Sequence, residues 1–273
     1  MSSPRRRLDS ELVRRGLVAS REQAAAALAG HRVLVAGSIA TKLSTMVSPA
    51  DAVVVLGPGP RFVSRGGEKL DAALDRFGLD VAGLRALDAG SSTGGFVDCL
   101  LQRGAIEVIA LDVGHGQMDG HLKMDPRVAL HEGHNIRSVD VELLGPAGPV
   151  DILTADLSFI SLRTVARPLA DLVRPGGDMV VLVKPQFEAG RAEASRGKGV
   201  IREPTVWREA LIEVASALGA AGTGIMGAMA SPLRGAAGNV EFFLHATASR
   251  DAVPGARIES LADAAIASVT AAD

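Results

Sequence analysis

Two stretches of this sequence hold side chains at spacings that could do chemistry. The first is Leu87-Asp88-Ala89-Gly90-Ser91-Ser92-Thr93-Gly94-Gly95-Phe96, where an apolar strand-like run ends on an acid, a glycine-rich turn follows and a helical pattern begins. Gly90 lets the backbone approach a ligand closely, while Gly94 and Gly95 permit a tight turn and close helix packing. A second acid, Asp112, ends the next strand-like run 22 residues beyond Gly90, with Val113 behind it, and Asp156 closes a third. An acid at the Asp112 position can accept hydrogen bonds from both hydroxyls of a ribose. Ligands of open α/β sheets sit beyond the carboxyl ends of the strands, so three acids at strand ends converge on one crevice. That pattern points to a nucleoside cofactor. The competing account makes the glycines turn formers and the acids helix caps, and a nicotinamide cofactor is the rival ligand.

The second stretch is Met179-Val180-Val181-Leu182-Val183-Lys184-Pro185. A lysine ending an apolar strand is expected beside the same crevice and partly desolvated, which lowers its pKa and favours the neutral amine. A neutral amine can remove or orient the proton of an alcohol, which helps because a ribose hydroxyl is a poor nucleophile near neutrality. The other reading is a lysine snorkelling at a sheet edge. Position alone leaves both open.

The elements that must hold these residues follow from hydrophobic periodicity. Strands are expected at Leu84–Asp88, Glu107–Asp112, Arg127–Leu130, Val150–Asp156, Asp178–Lys184, Thr223–Ala228 and Val240–His245. Helical stretches separate most of them, notably Gly95–Gln102, Leu162–Val173 and Thr205–Leu218, and another at Leu70–Phe77 precedes them. Such alternation predicts a doubly wound α/β fold with a mostly parallel sheet. The short connection between the last two strands suggests a closing antiparallel pair. Asp263–Val269 is expected to form a terminal helix.

Ahead of this lies a small α+β unit. Leu8, Leu12, Val13 and Leu17 give an apolar stripe stopped near Gly16, and Ser20 with Gln23 reads as a capping box for a helix running to Ala29. Strand-like pieces follow at Arg32–Val35 and Ala52–Leu56, and Gly57-Pro58-Gly59-Pro60 interrupts the chain. Residues 1–65 carry ten Lys and Arg against four Asp and Glu, whereas the remainder carries 19 against 27, beneath a net charge of only −2. A basic end on an acidic protein suggests a polyanionic partner, with a merely solvated arginine-rich end as the alternative.

The glycine turn resembles motif I of class I methyltransferases, Asp-x-Gly-x-x-x-Gly-Gly, which implies S-adenosylmethionine as cofactor, with Asp88 holding its amino-acid end and Asp156 lining the opposite wall. Four further segments are Val63-Ser64-Arg65-Gly66-Gly67-Glu68-Lys69-Leu70, Ala155-Asp156-Leu157-Ser158-Phe159-Ile160-Ser161, Leu182-Val183-Lys184-Pro185-Gln186-Phe187-Glu188 and Gly238-Asn239-Val240-Glu241-Phe242-Phe243. In combination and order they resemble the TlyA family of bacterial ribosomal RNA 2′-O-methyltransferases, which has an FtsJ-like catalytic domain and is also labelled hemolysin-like. The match leaves only the last twenty or so residues without a recognisable motif. The resemblance implies a Lys-Asp-Lys-Glu catalytic set at Lys69, Asp156, Lys184 and Glu241, with Lys184 the proton acceptor and the others its electrostatic setting. One departure is Phe62, in Pro60-Arg61-Phe62-Val63, where some relatives carry tryptophan.

The segment Arg7-Leu8-Asp9-Ser10-Glu11-Leu12-Val13-Arg14-Arg15-Gly16 resembles the opening of an S4 RNA-binding domain. Arg14, Arg15, Arg21, Arg32 and Lys42 are the expected phosphate contacts, joined by Arg6, Arg7 and the linker's Arg65. With no tyrosine in the chain and little aromatic interleaving, this domain is expected to read RNA shape rather than stack bases. The implied organisation is an S4-type domain at 5–57, a linker at 58–65, a class I (Rossmann-like) FtsJ-like methyltransferase domain at 66–248 and a C-terminal tail with a helix at 249–273. The implied reaction is methylation of a cytidine 2′-hydroxyl in 16S or 23S ribosomal RNA, or both.

Two other function classes would leave different marks in the sequence. A secreted or membrane-acting hemolysin calls for a signal, a span or an amphipathic insertion segment, and the apolar runs are only strand-sized. An inactive RNA-binding assembly factor would have lost members of the catalytic set, and none is missing. One cysteine, Cys99, excludes an internal disulfide and fits a cytoplasmic location. The histidines lack metal-ligand spacing, so no metal is expected, nor a membrane partner, and a monomer is the default. Gly190–Gly199, glycine-rich and charged, reads as a substrate loop or a plain connection.

Overall fold

The computed structural model describes residues 5–18, 20–57, 59–189, 199–235, 237–248 and 255–270. Contacts divide the chain into two compact units, Met1–Ser64 and Arg65–Asp273.

The first unit runs β1 (Arg6–Arg7), α1 (Leu8–Arg14), α2 (Arg21–Ala29), β2 (Val33–Val35), β3 (Ser38–Ile39), β4 (Met46–Val47) and β5 (Val53–Val55). Strands β3, β2 and β5 form an antiparallel sheet and β1 pairs with β4. Leu8, Leu12, Ala24, Val33 and Val47 build its small core. Ser20 caps α2 by accepting from the Gln23 backbone N–H at 3.2 Å, but the reciprocal half of the capping box is missing. The Gln23 side chain instead donates to the Val63 carbonyl at 2.7 Å.

The second unit starts with α3 (Arg65–Phe77) and continues through β6 (Arg85–Ala89), α4 (Gly95–Gln102), β7 (Glu107–Asp112), α5 (Gly120–Met124), β8 (Val128–Glu132) and β9 (Val150–Ala155). It ends with α6 (Ala166–Asp171), β10 (Val173–Val183), α7 (Pro185–Glu188), α8 (Pro204–Ala220), β11 (Gly224–Ala230), β12 (Phe242–Thr247) and α9 (Gly255–Thr270). The seven-stranded sheet has the order β11-β12-β10-β9-β6-β7-β8. β12 runs antiparallel to both its neighbours and the other pairings are parallel. This is the doubly wound, mostly parallel sheet expected from the alternation of elements. From β6 the chain winds outward through β7 and β8, then returns to the other side through β9. The switch point therefore lies between β6 and β9, where such sheets open a ligand crevice.

Leu87, Leu153, Val181 and Phe242 are essentially inaccessible in the main core. Each such side chain contributes about 1.5–3 kcal/mol by burial, enough in sum to hold the strand ends in fixed register.

Three expectations need correction. The helix expected over Leu162–Val173 breaks into a 3-10 turn at Leu162–Thr164 and the short α6. Pro168 lacks an N–H, and its ring opposes the carbonyl four residues back, so the helix restarts with Pro168 in its first turn. Strand β10 begins at Val173 rather than Asp178, with a register shift between those residues. The terminal helix expected at Asp263–Val269 is longer and runs over Gly255–Thr270. Ala262, Ala265 and Ile266 of α9 belong to the main core.

Candidate active site

Backbone geometry at the switch point leaves little freedom. Gly90 has φ +85°, and a Cβ there would stand 2.6 Å from the Asp156 carbonyl oxygen. The Asp156 N–H donates to the Ala89 carbonyl at 3.0 Å, so the β6 turn and the β9 end are stitched together. Gly94, at φ +92°, would drive a Cβ to 2.3 Å from Leu122 Cδ1. Glycine is required at Gly90 for space as well as for backbone angle, and at Gly94 for its left-handed backbone angle, since the clash there is with the end of a side chain.

Beside this stitch lies a cavity of about 280 Å³ whose wall includes Gly90, Ser92, Asp112, Val113 and Asp156. It falls near the lower end of the roughly 300–1,000 Å³ typical of ligand pockets. Asp112 is locked in place: its carboxylate accepts the Ser92 N–H and the Gly114 N–H, each at 2.7 Å. His134, Asn135 and Ile136, from the segment after β8, close the far wall. None of these three was singled out from sequence, although the neighbouring parallel strand's carboxyl end was the place to look.

Asp88, Ser91, Thr93, Gly94, Gly95 and Phe96 do not line that cavity. Phe96 is buried and packs 6.1 Å from the Phe243 ring. Asp88 is 1% exposed. Its Oδ1 accepts from Thr154 Oγ1 at 2.8 Å, while its Oδ2 has no partner. Burial pushes the Asp88 carboxyl up to about 8; the Thr154 hydroxyl opposes this, and the Asp156 and Asp112 charges reinforce it. Ser91 Oγ is a second buried orphan at the same turn. A cationic or N–H donor of a bound cofactor would satisfy both, so the turn fits such a group.

The four residues of the implied catalytic set form two ion pairs. Lys69 Nζ donates to Glu241 Oε2 at 2.6 Å, and both side chains are buried. Lys184 Nζ lies 2.6 Å from Asp156 Oδ1. That approach is an ion pair off the line of a hydrogen bond, since the directed bond of Lys184 goes to Ser158 Oγ at 3.0 Å. Each lysine thus has its own carboxylate, rather than Lys69 acting as a bare cation beside Lys184. Lys184 directly follows β10 with its side chain only 11% exposed, so it is not a snorkelling lysine.

Two further features went unread in the sequence. Phe159 is 92% exposed, sits at φ +62° and stacks 5.2 Å from Phe187, whose ring is 5.9 Å from Lys184 Nζ. A bulky residue in the left-handed region costs roughly 1–3 kcal/mol, and such strain clusters at functional sites. The second is Glu188, 3% exposed. It accepts from the Ser161 hydroxyl and from the Leu162 N–H, clamping the segment after β9 to the turn after Lys184.

In the N-terminal unit, Arg6, Arg7, Arg14, Arg21 and Lys42 are exposed. Arg7 holds Asp9, and Arg14 with Arg15 pulls the Glu11 carboxyl down to about 2. Arg15 also donates to the Asp51 and Ser48 carbonyls at 2.8 and 3.1 Å, so its guanidinium ties the fold together rather than facing outward. Arg32 is half-buried and donates to the Leu56 carbonyl at 2.8 Å. Arg65, in the second unit, is exposed. Cys99 is buried packing, as is Trp207. The segment Gly190–Gly199 lies almost wholly outside the described residues.

Comparison with known proteins matches residues 62–248 to the FtsJ-like methyltransferase family and residues 6–53 to the S4 domain. The chain is 46% identical to the 16S/23S rRNA (cytidine-2′-O)-methyltransferase TlyA of Mycobacterium tuberculosis over 88% of this chain and 89% of that one. It is 36% identical to Hemolysin A of Brachyspira hyodysenteriae over 88% of this chain and 98% of that one. A solved structure from Streptococcus thermophilus, described as a hemolysin, superimposes with a TM-score of 0.76 at 34% identity, covering 98% of both chains. Among the described residues no helix is long and apolar enough to cross a membrane.

Proposed function

The chain belongs to the TlyA family of FtsJ-like methyltransferases, and we propose that it uses S-adenosylmethionine to methylate the 2′-hydroxyl of a cytidine in ribosomal RNA of the small subunit, the large subunit or both. Lys184 carries this reading: a lysine at a strand's carboxyl end, paired with Asp156, beside a cavity edged by Asp112 and the glycine turn. The name of the Mycobacterium tuberculosis relative supports the substrate. The S4 match supports RNA as partner, and the rRNA-modifying relative is the support for the cytoplasm as location.

When bound, S-adenosylmethionine supplies an electrophilic methyl group. The turn at Asp88, Gly90 and Ser91 would hold its amino-acid end and Asp112 its ribose hydroxyls. The other groups act on the acceptor. As the 2′-hydroxyl oxygen becomes nucleophilic, its proton passes to the Lys184 amine. Asp156, 2.6 Å away, stabilises the ammonium that results. Ser158 fixes the direction of the Lys184 amine through its 3.0 Å hydrogen bond. The Lys69–Glu241 pair adds no net charge and braces α3 against the start of β12. The exposed Phe159 ring offers a stacking face for the base of the target nucleotide.

Purified protein, labelled S-adenosylmethionine and separated 30S and 50S subunits test the proposal. Label in the RNA of at least one subunit is expected. Binding without transfer would favour an inactive assembly factor.

A further inference from the structure

Three strands meet in one row at the edge of the sheet that carries Lys184. β10 ends on Val183, whose register partner is Phe242 of β12, and Phe242 in turn pairs with Ala230, the last residue of β11. The next residues outward are Lys184, Glu241 and Ser231. The Ser231 N–H donates to the Glu241 carbonyl at 2.8 Å, which carries the pairing one step further. The loop joining β11 to β12, residues 231–241, therefore leaves the sheet on the same edge as Lys184.

Hydrogen bonds hold this loop in one shape. The Gly235 N–H donates to the Asn239 carbonyl at 2.9 Å and the Gly238 N–H to the Gly235 carbonyl at 2.8 Å. Asn239 is buried and ties the loop to the segment before α8, its Oδ1 accepting from the Ile201 N–H at 2.9 Å. A further contact falls on the catalytic set. A Cβ at Gly235 would stand 2.3 Å from Glu241 Oε1 and 3.0 Å from its Cδ. The φ of Gly235 lies outside the left-handed region, so the missing side chain answers to space. A carboxylate at the end of a flexible side chain can usually swing clear, but this one is buried and its Oε2 is held by Lys69 Nζ at 2.6 Å.

We propose, on the strength of the RNA-methylating reading above, that Gly235 is a positioning residue for methyl transfer: lacking a Cβ, it seats the β11–β12 loop on the Glu241 carboxylate and so fixes that loop beside Lys184. The Lys69–Glu241 pair then has a task that its neutrality alone does not give it. Lys69 holds the carboxylate, the carboxylate holds the loop, and the loop flanks the place where a ribose must lie for its 2′-hydroxyl to reach Lys184. Because the pair is closed and buried, the seat is set before RNA arrives, and little ordering is needed on binding.

The test uses the full chain, labelled S-adenosylmethionine and whichever ribosomal subunit the wild type methylates. Gly235→Ala puts a methyl group against the carboxylate. It should lower single-turnover transfer at saturating subunit by roughly 10²-fold, the cost of a misplacement of about 1 Å. Cofactor affinity, read by calorimetry, should stay at the wild-type value and so report an intact fold. Glu241→Asp shortens the acid by one methylene. Alone it loosens the hold on Lys69 and should slow transfer. Added to Gly235→Ala it makes room for the methyl group and should raise transfer about tenfold above Gly235→Ala alone, a reversal of sign expected only of residues in contact. Gly238→Ala strains the same loop at φ +87° with nothing within 4 Å of its Cβ, and Glu241→Asp should not rescue it. Near-wild-type transfer by Gly235→Ala overturns the seat, as does a double variant no faster than Gly235→Ala, or equal rescue of Gly238→Ala. Cofactor affinity that falls in step with transfer overturns it too, because the loop would then serve the whole unit rather than the acceptor side. If the wild type methylates neither subunit, the parent reading fails instead.

Discussion

Asp156 Oδ1 sits 2.6 Å from Lys184 Nζ although the two residues follow different strands of the sheet, Asp156 after β9 and Lys184 after β10. That contact joins the proposed cofactor crevice to the proposed acceptor side, because Asp156 also lines the cavity beside Gly90. Its carboxylate therefore faces the group that accepts the hydroxyl proton in the proposed reaction.

Replacing Lys184 by arginine keeps the positive charge but provides a group that does not deprotonate. Lys184→Arg is expected to lose roughly 10²–10⁴-fold in methyl transfer, the usual span of general-base assistance. Cofactor affinity should be retained. Single-turnover kinetics with calorimetry separates these effects, and near-wild-type turnover would remove Lys184 from the base role.

The buried Lys69–Glu241 pair should behave asymmetrically. Lys69→Met strands a carboxylate that is 3% exposed, a change that costs about 3–5 kcal/mol when a buried ion pair is broken. Lys69→Met combined with Glu241→Leu should recover much of that loss. Denaturant unfolding of the two variants measures the difference. A double variant no more stable than the single one contradicts the buried-pair account.

Asp88 gives a pH signature of known sign. Its folded-state pKa, about 8, lies above the ordinary carboxylate value of 3.8. The folded protein thus holds a proton that the unfolded chain has lost, so stability without cofactor falls as pH rises from about 4 towards 8. Asp88→Asn should flatten that fall in a melting series. In the intact protein, a cationic cofactor group satisfying Oδ2 favours the ionised acid, so binding should release up to one proton and tighten from pH 6 to pH 8. Calorimetry in buffers of different ionisation heat reads the release, and its absence argues against Asp88 as the amino-acid-end contact.

Glu188 is a positioning residue. Glu188→Ala leaves the Ser161 hydroxyl and the Leu162 N–H without their acceptor, a loss of about 1–3 kcal/mol. Glu188→Gln keeps an acceptor oxygen and should rescue most of the stability and turnover. Turnover should fall more than cofactor affinity in the alanine variant, because the clamp orients Asp156 and Ser158 against Lys184. Equal effects of alanine and glutamine would remove the clamp from the account.

Phe159→Ala should leave stability close to wild type, since the ring is 92% exposed. If the ring stacks on the target base, RNA binding should weaken by about 1–3 kcal/mol. Binding of ribosomal subunits by the two proteins decides the matter.

The strand ends were readable because apolar runs of sheet length end on Asp88, Asp112 and Asp156, and a parallel sheet puts such ends on one edge. Lys184 was readable for the same reason. The Lys69–Glu241 pair was not, since 172 residues separate its members and no local period connects a helix face to the residue before an antiparallel strand. Resemblance named the pair, but not its closure on itself. His134 to Ile136 and Phe159 lie in irregular backbone, which hydrophobic periodicity does not reach. Arg15 shows the same limit from the other direction, because a basic residue in a basic segment turned out to serve the carbonyls of its own unit.

The most direct test is the chemical position of the transferred methyl. Ribosomal RNA treated with labelled S-adenosylmethionine and either wild-type protein or Lys184→Ala is digested to nucleosides and resolved by mass. The account predicts that wild type yields 2′-O-methylcytidine and that the variant yields a small fraction of it despite normal cofactor binding. Label on a base, or equal 2′-O-methylcytidine from both proteins, would contradict it.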